Sequence, residues 1–339
     1  MVGSNLRPAS HSGKQRQDTA VKVAALAGGV GAGKFLRGLV RVVPAEGVTV
    51  VVNTADDIEV HGLHVSPDLD SVTYWLGGVA DRDRGWGRDG ESFRATEELR
   101  AFGAESAWFG LGDLDLATHL FRTGLMGRGK TLSEVTRQVA GRFGITARII
   151  PMSDDPVTTR VEVVDEAGRP LDLHFQEYWV FRGARDEVKS VRFEGADRAR
   201  PAAGVLEAIA GAEVVVLCPS NPIVSIDPIL AVPGIRDAVA ARRDRVVAIS
   251  PIVGGVPLRG MADKLLPVAG VDVSAAGVAE HYAGLVGAFV FDHADRDLLD
   301  RVLASCDRGG VTDTIMVDDS AAERLARQAL DVAGGVGGG

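Results

Sequence analysis

Cysteine and aromatic residues are scarce in this chain of 339 residues. Its only two cysteines, Cys218 and Cys306, are too few and too far apart in the sequence for a disulfide framework or a thiolate metal site. A protein of the reducing cytoplasm is therefore expected. Aromatic residues make up only 5% of the chain, against 46% for all hydrophobic residues, so small aliphatic side chains must fill the core. Such a composition favours buried parallel strands covered by helices.

The chain also lacks an excess of basic residues and long hydrophobic runs. The 37 Lys and Arg residues are outnumbered by 46 Asp and Glu residues, which argues against a broad basic surface for nucleic acid. No apolar run reaches the roughly 18 residues that a membrane span needs, and the first 20 residues lack the apolar core of a signal peptide. We expect neither nucleic acid nor membrane as a partner, and any anionic ligand must be held by local groups.

Polar residues without periodicity fill positions 1–20, and glycine dominates positions 334–339, so both ends are predicted to be disordered tails. Between them, residues 21–333 are predicted to form a single domain. Apolar strand patterns alternate with helical patterns in 21–80 and again in 200–333, which predicts an α/β core with a doubly wound, mostly parallel, Rossmann-like sheet. The β-rich texture in part of 81–199 indicates an inserted α+β subdomain. The core strands are predicted at 21–27, 48–54, 213–218, 245–250, 288–291 and 314–317.

Two helices have clear sequence signals at their starts. Ser66 followed by Pro67 predicts an N-cap and a first helical residue, which puts Asp68 and Asp70 in the first turn. The spacing of Thr131 and Glu134 is that of a capping box and predicts a helix over 131–143. Further on, strands are predicted on both sides of a hairpin turn at 166–169, the second one running through 171–180.

A glycine-rich loop follows the first predicted strand. Its glycines and Lys34 imitate a phosphate-binding P-loop, but Phe35 stands where that motif needs Ser or Thr. Lys34 also stands where a dinucleotide fingerprint needs glycine. What remains is a strand-to-helix turn that either binds phosphate or is only a tight turn using the backbone freedom of glycine. The candidate phosphate ligands of a nucleotide are Gly28, Gly29, Gly31 and Lys34.

Four carboxylates come close together in the sequence after the second predicted strand. Asp56 and Asp57 follow that strand, and Asp68 and Asp70 begin the next helix. Magnesium prefers a few carboxylate oxygens together with substrate phosphates, so Asp57, Asp68 and Asp70 are candidate Mg²⁺ ligands, and Asp57 and Asp56 are candidate catalytic residues. Alternatively, Asp68 and Asp70 only complement the helix dipole.

Two further segments have the composition of ligand-binding loops. Ser220 and Asn221 follow a predicted core strand, at the edge where open α/β sheets bind ligands, and we expect them to contact a nucleotide unless they form an ordinary turn. Trp86 and Arg88 lie in the segment GWGRDG, where a tryptophan between glycines is either an exposed planar wall or a residue that packs the loop onto the core. His119, on an amphipathic helix, is more typical of a structural histidine.

Eight segments of the chain, in collinear order between about residues 21 and 333, resemble the 2-phospho-L-lactate transferase family: GGVGAGK, NTADDIEVHGLHVSPDLDSVTYWLGG, DRGWGRDGESF, WFGLGDLDLATHL, HFQEYWV, CPSNPIVSIDPIL, SPIVGGVPLRGMAD and VTDTIMVDD. One departure is Ala32-Gly33, where glycine then alanine is expected.

The resemblance implies a transferase of coenzyme F-420 biosynthesis that uses Mg²⁺ and acts as a homodimer. Its donor is a phosphorylated three-carbon acid linked to a guanosine diphosphate, and its acceptor is the deazaflavin Fo. The terminal ribityl hydroxyl of Fo attacks the phosphorus that bears the acid, and GMP leaves. The deazaflavin pocket is expected to include Asp57, Trp86 and Arg88. Whether phosphoenolpyruvate, 2-phospholactate or phosphoglycerate is transferred stays open.

A second reading is a nucleotide-sugar-binding regulatory protein of the same fold without turnover. That group shares the glycine loop and the acidic pair but lacks the segments SPDLD, GWGRDG and HFQEYWV, all of which are present here. A P-loop NTPase is disfavoured because Phe35 replaces the Ser or Thr of its motif. A nicotinamide dehydrogenase is disfavoured because Lys34 replaces a glycine of its motif.

Overall fold

The computed structural model of the protein describes residues 21–334. The predicted tails, residues 1–20 and all but the first residue of 334–339, lie outside this range. The described residues form fourteen β-strands, numbered in chain order: β1 (Val23–Ala27), β2 (Val48–Val52), β3 (Ile58–Val60), β4 (Leu63–Val65), β5 (Arg148–Pro151), β6 (Thr158–Val164), β7 (Pro170–His174), β8 (Glu187–Glu194), β9 (Val214–Leu217), β10 (Val246–Ile249), β11 (Ile252–Val253), β12 (Val256–Pro257), β13 (Ala288–Asp292) and β14 (Arg308–Thr312).

The same part of the chain forms twelve α-helices: α1 (Gly29–Val42), α2 (Pro67–Leu76), α3 (Arg94–Ala101), α4 (Asp113–Met126), α5 (Leu132–Arg142), α6 (Val205–Gly211), α7 (Asp227–Ala231), α8 (Ile235–Ala240), α9 (Ala262–Leu265), α10 (Ala275–His281), α11 (Leu299–Leu303) and α12 (Asp319–Val332). Short 3₁₀ helices lie at Ala45–Gly47, Arg243–Arg245, Pro267–Ala269 and His293–Leu298. Two π-helices lie at Glu177–Phe181 and Pro222–Ile226. None of the helices within residues 21–334 has the length and apolar character needed to cross a membrane.

A seven-stranded parallel sheet in the order β14-β13-β10-β9-β1-β2-β5 is the centre of the fold. The chain builds outward from β1 to β5 on one side and then from β9 to β14 on the other, which is the Rossmann-like order with one strand added. The predicted fold class is therefore confirmed. The order reverses between β1 and β9, and the carboxyl ends of these two strands open the crevice in which such sheets bind ligands.

Helices cover both faces of this sheet, which is why its central strands are apolar throughout. Val23, Ala25 and Ala27 of β1 pack into a core with residues of α1, α2, α5 and α12. Ala24 and Leu26, which point to the other face, pack into a second core with residues of α6 to α11. Each β1 residue is buried, as expected for a strand covered on both faces.

The structure corrects the predicted limits of the inserted subdomain. Residues 148–151, which the sequence pattern assigned to the insertion, form β5 at the edge of the central sheet, parallel to β2, with Ile149 and Ile150 buried. The extra elements therefore come in two parts. One part is α3 and α4, before α5, and the other is the antiparallel sheet β7-β6-β8, between β5 and β9.

Two predicted strands also differ from the structure. The last core strand is β14, not residues 314–317, of which Ile315 and Val317 are exposed. The strand predicted over 171–180 ends at His174, because the chain turns into the π-helix Glu177–Phe181. The predicted hairpin turn at 166–169 and the capping box of α5 are both confirmed.

Candidate active site

A cleft of about 700 Å³ lies at the crevice between the ends of β1 and β9. Most of the predicted ligand-binding residues line it: Gly28, Gly29, Gly31, Lys34, Asp56, Asp68, Asp70, Trp86, Ser220 and Asn221. Asp57 and Arg88 do not line it, which differs from the prediction for both residues. The cleft therefore brings together loops that lie far apart in the sequence, and Asp57 and Arg88 lie outside it.

The absence of side chains in the glycine loop lets the Asp68 carboxylate and the Pro219 carbonyl approach its backbone closely. A Cβ atom at Gly28 would lie 2.4 Å from Asp68 Oδ2, and one at Gly31 would lie 2.3 Å from the carbonyl oxygen of Pro219. Gly29 has φ of +71°, in the left-handed region that favours glycine. The glycines are thus needed for close packing. The free N–H groups at the start of the 14-residue helix α1 still face the cleft as an anion site.

Ser220 and Asn221 each use part of their side chain to shape the cleft. The Ser220 hydroxyl accepts from the N–H of Gly28 (3.2 Å) and donates to the carbonyl of Gly28 (2.9 Å), which ties the loop after β9 to the loop after β1. Asn221 Oδ1 accepts from the N–H groups of Ile223 (3.0 Å) and Val224 (3.4 Å) at the start of the second π-helix. The Asn221 amide N–H₂ is left as a donor for a ligand.

Asp56 and Asp68 are buried carboxylates whose charge is poorly neutralised. Burial raises the pKa of Asp68 to about 7, even though Asn53 Nδ2 donates to its Oδ2 at 2.9 Å. Burial, and then the charge of Asp68, raise the pKa of Asp56 well above its usual range. Asp56 Oδ1 has no hydrogen-bond partner among the described residues. A divalent cation would supply the missing charge, so the two carboxylates fit a magnesium ion.

Asp57 faces away from the cleft, toward β4. Its Oδ2 accepts from the Ser66 hydroxyl at 2.8 Å and contacts His64 Nε2 at 2.9 Å. Ser66 occupies the predicted N-cap position of α2, but its hydroxyl donates to Asp57 and makes no cap hydrogen bond. His174 Nε2 contacts the Asp57 carbonyl oxygen at 3.0 Å. Asp57 is therefore fixed from two sides, although its Oδ1 has no hydrogen-bond partner among the described residues. Its role as a metal or deazaflavin ligand stays a prediction.

Asp70 lines the cleft together with Asp115 and His119, and these three side chains form a buried cluster with Arg122. Both of its carboxylate oxygens accept from the guanidinium of Arg122, one of them at 3.0 Å. Ligand atoms of Asp70, Asp115 and His119 lie within 4.8 Å of one another, which is a possible metal site. The guanidinium of Arg122 already supplies a positive charge there and opposes a second cation. Within residues 21–334, Asp57 and Asp68 do not join Asp70 in such a group, so the predicted ligand set is not brought together.

The hydrogen bonds of this cluster also indicate which ring nitrogen of His119 carries the proton. An arginine N–H can only donate, so Arg122 Nη1, 3.1 Å from His119 Nδ1, requires a lone pair on that nitrogen. The proton of a neutral His119 ring is then on Nε2, which lies 3.2 Å from Asp115 Oδ1. Tyr74 donates to the same Asp115 oxygen at 2.6 Å. The i,i+4 spacing of Asp115 and His119 on α4 is a signal by which this cluster could have been found from the sequence, whereas Arg122 offers none.

Lys34 and Arg259 place positive charge in the same cleft. Burial, followed by the nearby charges of Arg259 and Arg82, lowers the pKa of Lys34. Arg259 Nη1 donates to the carbonyl oxygen of Arg84 at 3.1 Å. An anionic ligand would relieve the repulsion among these cations, so the cleft offers both a carboxylate pair for a cation and a cationic group for phosphates.

Five aromatic side chains line the cleft: Tyr74, Trp86, Phe109, Phe175 and Trp179. Trp86 is 44% exposed and Trp179 is 38% exposed, which is unusual for such large apolar groups. Arg88 instead donates to the carbonyl of Leu114 at 3.2 Å, and its guanidinium lies 5.0 Å from the ring of Phe143, so its role is to pack the loop. Trp179 was missed from the sequence because the π-helix that presents it has the composition of a strand.

Comparison with known proteins matches this architecture to one family. The sequence profile of 2-phospho-L-lactate transferase CofD matches residues 23–332. The chain is 48% identical over 314 residues to a phosphoenolpyruvate transferase of Streptomyces griseus, with 92% of this chain and 98% of that protein covered. It is 42% identical over 322 residues to one of Nocardia farcinica, with 93% and 96% covered, and 40% identical over 329 residues to one of Mycolicibacterium smegmatis, with 93% and 99% covered.

A solved structure of a UPF0052 family member from Bacillus halodurans shares the fold, with a TM-score of 0.57 and 19% identity over 92% of this chain and 99% of that one. The family suggested by the sequence motifs is confirmed by the profile and by the relatives. The chain belongs to the 2-phospho-L-lactate transferase CofD family.

Proposed function

We propose that the protein transfers a phosphorylated three-carbon acid from a guanosine diphosphate-linked donor to the terminal ribityl hydroxyl of Fo, with release of GMP. The hydroxyl oxygen forms a bond to the phosphorus that bears the acid, and the bond from that phosphorus to the GMP phosphate oxygen breaks. The observation that carries the proposal is the composition of this cleft: the carboxylates Asp56 and Asp68, the cations Lys34 and Arg259, a helix N-terminus and several aromatic side chains. Such displacement depends on alignment and charge neutralisation more than on covalent catalysis.

Each part of the cleft then has a task. The N-terminus of α1, Lys34 and Arg259 bind the diphosphate of the donor, and the Asn221 amide donates to the nucleotide. Trp86 and Trp179 provide flat apolar surface for the tricyclic ring of the acceptor. Asp56 and Asp68 would hold Mg²⁺, which supplies charge neutralisation at the transferred phosphoryl group. Asp57 keeps the backbone beside Asp56 in place through its bonds to Ser66 and His64.

We assign phosphoenolpyruvate as the transferred acid because the relatives that cover almost the whole chain are named phosphoenolpyruvate transferases. The test is mass spectrometry of the products after the protein is incubated with Fo, Mg²⁺ and each guanylylated acid in turn: phosphoenolpyruvate, 2-phospholactate and 3-phosphoglycerate. We expect the phosphoenolpyruvyl adduct of Fo and an equal amount of GMP, and neither product in EDTA. Preference for another acid would overturn the donor assignment. Nucleotide binding without any Fo adduct would overturn the transferase proposal.

A further inference from the structure

Glu91 has the most buried carboxylate of the loop that carries Trp86, and none of the roles described above uses it. Its side chain is 0% exposed. Oε1 accepts from Arg84 Nη2 at 2.7 Å and from the N–H of Arg88 at 3.0 Å. Oε2 accepts from the N–H of Asp115, in the first turn of α4, at 3.2 Å. The Glu91 carboxylate therefore joins the 81–93 loop to the helix that supplies Asp115 and His119, beside the exposed hydrogen bonds between Ser92 and Asp113.

Two glycines leave room for this carboxylate: Gly87, in the loop, and Gly112, just before α4. A Cβ atom at Gly87 would lie 2.3 Å from Glu91 Oε1, and one at Gly112 would lie 2.0 Å from Glu91 Cδ. Gly87 also has a φ of +70°, which side chains with a Cβ rarely adopt. Gly87 of the GWGRDG segment and Gly112 thus accommodate the buried glutamate, which the sequence alone did not suggest.

Arg84 carries the effect of Glu91 to the cleft. Its guanidinium lies 5.1 Å from the ring of Trp86 and 4.8 Å from the ring of Phe93, and these two rings pack edge to face with centroids 5.9 Å apart. The Arg84 carbonyl accepts from Arg259, the cation that also lines the cleft. Charge-assisted hydrogen bonds to a buried carboxylate are among the stronger ones in proteins, so this link is rigid.

We propose that Glu91 is a positioning residue for the aromatic acceptor: it anchors the 81–93 loop to α4 and, through Arg84, fixes the plane of Trp86. The assignment of the ring to the acceptor rests on the proposed function, whereas the anchoring of the loop does not. An amide at position 91 would keep the shape and one acceptor oxygen, but its N–H₂ group would face either Arg84 and Arg88 or the N–H of Asp115, which now donate to carboxylate oxygens. The loop should then open, and the ring should lose its fixed orientation.

The test compares Glu91→Gln with Asp89→Asn, which removes an exposed carboxylate from the same loop. Without ligands, hydrogen exchange at the amides of Arg88 and Asp115 and tryptic cleavage at Arg82, Arg84 and Arg88 should be at least about tenfold faster in Glu91→Gln only. In the assay, the KM for Fo should rise about tenfold while the KM for the donor stays within about twofold. If Glu91→Gln does not fold, Arg84→Gln tests the same link from a side chain that is 27% exposed.

Exchange and cleavage at the wild-type rate in Glu91→Gln, or an equal change in Asp89→Asn, would overturn the anchoring role. A loosened loop with an unchanged KM for Fo would overturn the positioning of the acceptor. If the wild-type protein forms no Fo adduct, the proposed function fails, and the exchange and cleavage rates alone then decide the anchoring role of Glu91.

Discussion

Asp56 and Asp57 are neighbours in the chain but have different surroundings. Each has one oxygen without a hydrogen-bond partner among the described residues, but Asp56 lines the cleft, whereas the other oxygen of Asp57 bonds to Ser66 and His64 outside it. The sequence predicted that carboxylates gather after the second core strand, and that is correct for Asp56 and Asp68. It could not predict which of two adjacent side chains turns inward, because the direction depends on Ser66 and His64 offering partners on the other side.

Replacing the inward carboxylate should therefore cost more activity than replacing its neighbour. We expect Asp56→Asn to lower kcat by roughly 100-fold to 1000-fold, the usual effect of losing one group that stabilises the transition state. Asp57→Asn keeps the shape of a residue outside the cleft and should lose much less. Rates at saturating Fo and donor, with magnesium affinity from titration calorimetry, would measure both. A larger loss in Asp57→Asn would return the catalytic role to that residue.

The raised pKa of Asp68 gives the metal-free protein a pH-dependent stability. Burial raises this pKa from 3.8 to about 7, so between these values the folded state binds a proton that the unfolded state has released. The stabilisation is complete below the unfolded pKa and is lost as the pH rises through the folded one. We expect the free energy of unfolding in EDTA to fall between about pH 4 and pH 7, and Asp68→Asn to reduce that slope. Urea denaturation of both proteins checks this, and an unchanged slope in the variant would contradict it.

At the scale of secondary structure, Asn53 connects three elements around the cleft. Its Nδ2 donates to Asp68 Oδ2 at 2.9 Å, in α2, and to the carbonyl of Val224 at 3.1 Å, in the second π-helix. Its Oδ1 accepts from the N–H of Ala55 at 3.0 Å, just after β2. The Asn53 side chain is fully buried. Its hydrogen bonds provide partners for buried backbone groups of Ala55 and Val224.

Asn53→Ala should therefore destabilise the protein by roughly 3 kcal/mol, because it leaves buried donors and acceptors without partners. Thr136→Val is the matched control: Thr136 is also buried, on α5, but its hydroxyl has no hydrogen-bond partner among the described residues. The control should change stability by less than about 1 kcal/mol. Equal losses in urea denaturation would show that Asn53 acts only by filling volume.

Regular elements were predictable where local signals agree with the tertiary packing. The capping box of α5 and the apolar strands β1, β2, β9, β10 and β13 were found from the sequence. β14 was missed because its sequence, RGGVT, has two glycines where a strand pattern needs side chains. These glycines are required by packing, since a Cβ atom at Gly310 would lie 2.7 Å from Val332 of α12. Both π-helices were missed because no sequence pattern distinguishes them from strands or turns.

At the scale of the whole molecule, the cleft joins chain segments that the sequence keeps apart. The loops after β1 and β9 meet through Ser220 and Gly28, which are 192 residues apart. The order of the strands made this meeting predictable, since parallel strands present their carboxyl ends at one edge of the sheet. The wall formed by Trp86 and Trp179 was less predictable, because it depends on the elements added outside the central sheet. Ligands that bind across these segments should stabilise the whole domain.

The last prediction uses that linkage to separate the two ligands. A ligand that binds only the folded state adds RT ln(1 + [L]/Kd), or about 2.7 kcal/mol when its concentration is 100 times Kd. In the wild-type protein, GDP with Mg²⁺ and Fo should each raise the melting temperature. Trp86→Ala removes a ring that is 44% exposed, so it should leave the unliganded protein nearly as stable but weaken Fo binding by several-fold or more.

The shift caused by GDP should be unchanged in Trp86→Ala, because the diphosphate is assigned to α1, Lys34 and the loop after β9. Thermal unfolding with each ligand, on one preparation of each protein, measures both effects at equal free-ligand concentration. A smaller GDP shift with a normal Fo shift would place Trp86 in the donor site instead. Arg259 donates to the carbonyl of Arg84 in the Trp86 loop and also lines the cleft, so this cation is a route by which the loop could influence the nucleotide.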